Sequence, residues 1–111
     1  MRGILIDPWL KTVTEVKCGP GIDDMYHLMS NPLGPKVSVF CIGSMFEDRD
    51  TLFVDDEGLL KPGMHLFRVS GRPLAGNGLI LGCDAEGNSV DAKSSLTEIQ
   101  TMIEWTNLVT K

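Results

Sequence analysis

The sequence predicts an α+β protein with a mostly antiparallel six-stranded sheet and two helices, in the order β-β-α-β-β-β-β-α. Short apolar runs bounded by turn residues recur along the chain, and apolar residues show helical spacing in two segments. Most connections between the predicted strands have hairpin length, so we expect one sheet, either open or strongly bent and barrel-like, with both helices on one face. The predicted strands lie near residues 2–6, 12–17, 37–42, 51–54, 65–69 and 78–82.

The first two strands are predicted as a hairpin, followed by a helix. Pro8 removes a backbone donor after the first apolar run, and residues Thr12 to Val16 then alternate polar with apolar side chains. Gly19-Pro20-Gly21 breaks this pattern. A helix over about residues 22 to 30 is indicated by apolar side chains at three-to-four spacing: Ile22, Met25, Leu28 and Met29.

The central part of the chain predicts four more strands. Val37 to Ile42 has the most strand-like composition, and we expect it centrally in the sheet. The runs Thr51 to Val54, Leu66 to Val69 and Leu79 to Leu81 follow, with the glycine-rich segment 71–78 predicted as a loop.

The C-terminal segment predicts the second helix, over about residues 95 to 106. Ser95 and Glu98 have the spacing of a capping box, in which each side chain accepts a hydrogen bond from the other residue's backbone N–H. An apolar stripe follows at helical spacing: Leu96, Ile99, Met102 and Ile103. The alternation and spacing in all elements predict this buried set: Ile4, Ile6, Val16, Leu28, Val39, Cys41, Phe53, Phe67, Leu79, Leu81, Ile99 and Met102.

Length and composition favour a single folded domain over residues 1–111. The chain is 42% hydrophobic and 23% charged, which is typical of a folded globule, and its net charge of −5 disfavours nucleic acid as a partner. The cysteines Cys18, Cys41 and Cys83 show no metal-binding spacing, so we expect reduced thiols. Since no apolar run has the length of a signal peptide or membrane span, we expect a cytoplasmic protein without membrane contact.

An acidic turn motif occurs twice, as Asp55-Asp56-Glu57-Gly58 and Asp84-Ala85-Glu86-Gly87. An aspartate at the first position can bond the backbone two residues on, and a glycine at the fourth accepts a positive φ, so both segments predict hairpin turns. The carboxylates of the first segment could instead bind a divalent cation or act as an acid/base pair. The turn interpretation is favoured, and we predict no metal site.

A small-anion site is a second candidate feature, formed by Arg68, Arg72 and the loop Gly76-Asn77-Gly78. Guanidinium groups beside unhindered backbone could hold an anion. These glycines precede a strand rather than joining a strand to a helix, so the dinucleotide-binding pattern is missing and no cofactor is predicted. His27 and His65 lack further ligands at motif spacing, and Cys18 beside a glycine break is an unsupported nucleophile.

A partner-binding surface is the third candidate, on the large apolar residues Trp9, Met45 and Phe46. Trp9 follows Pro8 in the predicted first turn, where its ring either folds back onto the core or contacts a partner.

Several short blocks covering most of the chain resemble a family of small uncharacterised proteins carried by bacteriophages, prophages and other mobile DNA: Gly3 to Pro8, Asp23 to Tyr26, Thr51 to Leu59 and Pro73 to Gly82. The resemblance implies a mobile-element origin and a non-enzymatic role, and it assigns no catalytic residue.

These observations lead first to a binding module that acts by protein contact or self-association. The alternatives are an anion- or nucleotide-binding protein with weak hydrolase activity at the Arg68 and Arg72 loop, and an acidic inhibitor of a nucleic-acid-binding host protein. The inhibitor would use the six carboxylates of residues 47–57 to imitate a phosphate backbone.

The predicted C-terminal helix can be tested by two substitutions of different cost. Ser95→Ala should lower the free energy of unfolding by about 1 kcal/mol, because one backbone donor loses its acceptor. Ile99→Ala should lower it by roughly 2 to 5 kcal/mol, because a buried side chain leaves a cavity. Urea denaturation measures both, and an equal cost for the two variants would contradict the assigned roles.

Overall fold

The computed structural model describes residues 1–46 and 50–111, and it confirms the α+β class and the order of the predicted elements. The large sheet has six strands and a second sheet has three, with antiparallel pairing throughout. The elements are β1 Arg2–Asp7, β2 Thr12–Lys17, α1 Ile22–Met29, β3 Phe40–Phe46, β4 Asp50–Asp55, a 3-10 helix Gly58–Leu60, β5 His65–Val69, β6 Arg72–Ala75, β7 Gly78–Cys83, β8 Ser89–Val90, α2 Leu96–Met102 and β9 Ile103–Val109.

The large sheet has the strand order β2-β1-β7-β4-β3, with β8 also paired to β7. The predicted N-terminal hairpin is confirmed as β1 and β2. β3 lies at the edge, so the expected central position of residues 37–42 is wrong. The segment is apolar because Val37 and Phe40 pack against α1, in the core cluster beneath that helix, and not because it is central in the sheet. The central strand is β7, which lies between β1 and β4.

The small sheet has the order β6-β5-β9, so the strand predicted at 65–69 belongs to this second sheet. Part of the segment predicted as a loop, 71–78, is the edge strand β6. Ser70 and Gly71 join β5 to β6 with φ values of +51° and +81°, which is a two-residue hairpin turn with positive φ at both positions. Pro73 suggested a loop, but proline is accepted in edge strands such as β6.

The predicted helix over 95–106 is too long. The capping box is confirmed, since Ser95 Oγ accepts from Glu98 N–H and Glu98 Oε1 accepts from Ser95 N–H, both at 3.1 Å. The helix ends at Met102, and Ile103–Val109 forms β9 against β5. Ile103 fits the apolar stripe of a helix and also begins an alternating segment rich in β-branched and aromatic residues, which favours a strand. Pairing with β5 selects the strand.

The helices lie on opposite faces of the large sheet, so the prediction of one shared face is wrong. Met25 and Met29 of α1 pack with Leu79 and Leu81 of β7. Ile99 of α2 instead joins the core between the two sheets, which includes these side chains: Ile4, Ile6, Leu52, Phe67, Val69 and Ile80. Because both faces of β7 carry apolar side chains, another layer of the protein must pack on each face to exclude water.

Most of the predicted core is buried or half-buried. Six of the predicted residues are buried: Ile4, Ile6, Phe67, Leu79, Leu81 and Ile99. Four are half-buried: Val16, Leu28, Cys41 and Phe53. Val39 and Met102 are exposed, because Val39 precedes an edge strand and Met102 ends the shortened helix. In the described part of the chain, no helix is long and apolar enough to cross a membrane.

The turn between β5 and β6 predicts a stabilising substitution. Ser70→Asn should raise the free energy of unfolding by roughly 0.5 to 1 kcal/mol, because asparagine adopts a positive φ more readily than serine. Ser70→Val should lower it, because β-branched residues are poorly accepted there. Denaturant titration with an unchanged slope measures both changes, and equal midpoints for the two variants would contradict the turn assignment.

Candidate functional site

The two acidic motifs share the same bond at their aspartates. Asp55 Oδ1 accepts from the backbone N–H of Glu57 at 2.9 Å, and Asp84 Oδ1 accepts from that of Glu86 at 3.0 Å. Each carboxylate therefore bonds the backbone two residues on, as predicted. Hydrogen bonding from Asn88 is the main cause that holds the pKa of Asp84 below its ordinary value. Both aspartates thus organise turns.

The two glycines of these motifs have different roles. Gly87 has a φ of +86° between the paired strands β7 and β8, which confirms the second hairpin turn. The first motif links β4 to β5 in different sheets, so its hairpin prediction is wrong. Gly58 has no positive φ. A Cβ atom at Gly58 would lie 2.9 Å from the carbonyl oxygen of Ala75, so the close approach of these two backbone segments requires glycine there.

The acidic stretch 47–57 is only partly a surface. Asp50 is 1% exposed and accepts from the backbone N–H groups of Lys93 at 2.9 Å and Ser94 at 2.7 Å. Asp55 is also buried and pairs with Lys61 Nζ at 2.7 Å. Neither carboxylate is therefore on the surface, where imitation of a phosphate backbone would require it. Residues 47–49 lie outside the described part of the chain.

The predicted anion-binding residues do not converge on one site. Gly76, Asn77 and Gly78 are all buried. The Asn77 amide donates to the carbonyl oxygen of Leu28 and accepts from the Asn31 amide, each at 3.1 Å, so it ties this loop to the end of α1. Its polar atoms are therefore engaged inside the protein.

Arg68 and Arg72 lie on opposite faces of the small sheet. Arg72 pairs with Val69, so these two side chains share a face of the small sheet. Arg68 directly precedes Val69 on β5, and because successive side chains of a strand alternate, Arg68 lies on the other face. Arg68 shares its face with Pro73, and its Nε atom is buried without a hydrogen-bond partner among the described residues. Arg72 is exposed.

Trp9 is folded back onto the protein. Its ring lies 5.0 Å from that of His65, between centroids, and packs against the small cluster of Met64, Leu66 and Ala75. A Cβ atom on Gly34 would come within 2.3 Å of the Trp9 ring, so the ring lies directly over that glycine. The half-buried Trp9 is thus held by the fold rather than presented freely.

Cys18 and Cys41 have little nucleophilic character. Cys18 is buried, and burial raises the pKa of its thiol, with the nearby Asp24 charge adding to the effect. Burial also raises the pKa of Cys41, as do its hydrogen bond to Asp56 and the negative charges nearby, against an opposing effect of Arg72. Both thiols therefore stay protonated near neutral pH.

The β3 edge is the feature of this surface that most resembles a binding site. Met45 is 53% exposed and Ile42 is 57% exposed, whereas Phe46 is buried in the core between the sheets. The structure therefore places Met45 on the surface and Phe46 beneath it. β3 contains no charged residue and no proline over its seven residues.

The edge strands β2, β6 and β9 carry features that discourage pairing with another chain, and the edge strand β8 has only two residues. β2 contains Glu15 and Lys17, and α2 packs against it with Gln100 bonded to a β2 carbonyl. β6 contains Pro73, which has no backbone donor, and β9 contains Glu104. Charges, proline, bulges and covering elements are the usual protection of sheet edges. β3 has a bulge at Gly43, but among the residues that the structure describes it has no charge, no proline and no element covering its open side.

An irregularity in β3 arranges its exposed side chains. Ile42 pairs with Phe53 and Met45 pairs with Thr51, while Gly43 falls between the paired positions. Because Phe53 and Thr51 are two residues apart on β4, they share a face, and so do Ile42 and Met45. The bulge thus gives β3 two exposed apolar side chains side by side.

A cleft of about 200 Å³ runs beside this edge, between β3 and β6. Its lining includes Ile42, Leu59 and Pro73, together with Asp56 and Arg72. In the described ranges 1–46 and 50–111, no group of three His, Cys, Asp or Glu side chains is placed to hold a metal ion.

The chain matches no protein-family model, no curated protein and no solved structure. Function must therefore be proposed from the geometry of this edge. Sequence reasoning selected Met45 but missed Ile42, because Ile42 was assigned to a central strand. The sequence holds no local signal for the edge, because an uncharged run such as residues 40–46 is also typical of a central strand.

The different roles of Gly58 and Gly87 predict different responses to asparagine. Gly58→Ala should lower the free energy of unfolding by roughly 1 to 3 kcal/mol through the clash with Ala75, and Gly58→Asn should be no better. Gly87→Ala should lower the free energy of unfolding by about 1 kcal/mol, and Gly87→Asn should lower it less. A Cβ atom at Gly87 meets no neighbouring atom, so the only obstacle is the positive φ, which asparagine adopts more readily than alanine. Thermal denaturation of the four variants compares them, and rescue by asparagine at Gly58 would contradict the steric explanation.

Proposed function

We propose that this protein is a non-enzymatic binding module whose β3 edge accepts a further strand, from a protein partner or a second copy. The observation that carries the proposal is an uncharged, proline-free edge strand with Ile42 and Met45 more than half exposed. Strand addition uses the unpaired backbone groups of such an edge for affinity. It needs no active site.

The cleft beside β3 gives this edge a means of selecting its partner. In strand addition, alternate side chains of the incoming strand enter neighbouring pockets, which supply specificity. The cleft offers the apolar side chains of Leu59 and Leu74 together with Arg72 and Asp56. An incoming strand with an apolar side chain toward the cleft would fit this lining.

The expected biological setting belongs to the same proposal. The resemblance to small proteins of bacteriophages and other mobile DNA is in keeping with an accessory protein that acts by contact in the cytoplasm. Of the three residues predicted to bind a partner, Met45 supports the proposal directly, because its side chain is exposed on β3. Trp9 and Phe46 do not, because both pack within the protein.

The two alternative functions have less support. Arg68 and Arg72 lie on opposite faces and the Asn77 amide is engaged by α1, so an anion would meet Arg72 alone, beside Asp55 and Asp56. An acidic surface that imitates a phosphate backbone loses Asp50 and Asp55 to the interior.

Selection from a library of displayed random heptapeptides tests whether the β3 edge accepts strands. The immobilised protein should enrich peptides rich in β-branched and aromatic residues, and Ile42→Lys should abolish their binding, because a charge at the edge opposes strand pairing. Leu10→Lys is the matched control, since Leu10 is 65% exposed in the turn beside the opposite edge strand, β2. Biolayer interferometry with synthetic peptides measures the affinities. Enriched peptides that bind Ile42→Lys and the unchanged protein equally would refute the proposal.

A further inference from the structure

We propose, resting on the function above, that the strand accepted by β3 is β3 of a second copy of this chain. The two strands run antiparallel about a two-fold axis, with Ile42 of each copy opposite Met45 of the other. The backbone, the side chains and the charge of β3 each lead to this arrangement.

The backbone groups at both positions point to the open side. The N–H of Asp56 donates at 3.0 Å to the carbonyl oxygen immediately before β3, which fixes the alternation of ladder bonds along β4. Phe53 and Thr51 then direct their backbone groups to β7, with which both are paired. Their β3 partners, Ile42 and Met45, therefore direct N–H and C=O groups away from the sheet.

The side chains complement themselves in this register. Ile42 and Met45 lie on one face because of the bulge, so Ile42 opposite Met45 brings all four apolar side chains of two copies together on that face. The axis then passes between Gly43 and Ser44, and the bulges of the two copies lie opposite each other. Small residues at the axis leave room for this approach.

The charge of β3 favours a second copy as the occupant. Each chain carries a net charge of −5, so two copies repel each other, and a contact between charged patches of the same sign would add short-range repulsion. A two-fold interface uses the same patch on both copies, and an uncharged strand places no like charges opposite each other. β3 satisfies this condition over its whole length, whereas β2, β6 and β9 each contain charged residues. Pairing of one strand from each copy is a small interface, so we expect a reversible dimer with a dissociation constant on the order of micromolar.

Sedimentation equilibrium of the full chain over a concentration series tests the pairing. The mass should rise from monomer toward dimer, and Ile42→Lys and Met45→Lys should each weaken association at least ten-fold. Leu10→Lys changes the net charge equally at a comparably exposed position and should associate like the unchanged protein. Circular dichroism of each variant checks that it is folded, which is expected because all three side chains are exposed.

The double variant Ile42→Lys/Met45→Glu tests the register. In the proposed pairing, each lysine lies opposite a glutamate of the second copy, so the double variant should associate more tightly than either single variant. In a register that places Ile42 opposite itself, like charges would meet and the double variant would remain monomeric. Failure of this rescue would overturn the register.

The outcomes separate this inference from the proposed function. A chain that stays monomeric while selected heptapeptides bind at β3 overturns the second copy as occupant and leaves the strand-accepting edge intact. A dimer that forms equally in Ile42→Lys and Met45→Lys overturns β3 as its interface. Dimer formation that both single variants weaken and the double variant restores supports the pairing.

Discussion

The burial of β7 on both faces is the constraint on which the rest of the structure depends. Leu79 and Leu81 face α1, whereas Ile80 faces the small sheet, so this one strand requires a layer on each side. The ends of β7 are as restricted as its centre. A Cβ atom at Gly78 would lie 2.7 Å from the Leu52 side chain, and one at Gly82 would lie 2.1 Å from the Asp91 backbone oxygen. Helix α1, the large sheet and the small sheet can pack closely around β7 because glycine at positions 78 and 82 leaves room for these neighbouring atoms.

The same arrangement explains why an apolar strand lies at the edge. α1 covers only part of its face of the large sheet, and Phe40 lies beneath it with Tyr26, at a ring-centroid distance of 5.3 Å. Further along β3, Ile42 and Met45 lie on that face but remain exposed. Partial cover by a short helix thus leaves half of β3 packed and half open. The buried half orders the strand, and an ordered strand offers its free backbone groups without a further loss of conformational entropy.

Sequence patterns predicted those elements whose signal is local. The hairpin of β1 and β2, helix α1 and the capping box at Ser95 follow from neighbouring residues, and all three are confirmed. Patterns failed where a distant partner decides the outcome. Ile103 begins a strand because β5 pairs with it, and Gly58 is glycine because Ala75 approaches it, and neither partner is near in sequence. The candidate site has the same origin, since only the strand order shows that an uncharged strand is an edge and that the bulge places Ile42 beside Met45.

The protection of the edge strands β2, β6 and β9 has a consequence for how large an assembly this chain can build. Among the described strands longer than two residues, β3 is the edge that lacks charge, proline and cover, and a strand that docks on it satisfies its free backbone groups. If that strand comes from a folded molecule of the same kind, the outermost strands of the product are protected ones, and growth has no further point of attachment. Open-ended fibres require each added unit to present a new free edge. An architecture whose described edges other than β3 are protected or only two residues long terminates instead. A surface that would be an aggregation hazard in a sheet open on both sides then becomes one that is used once.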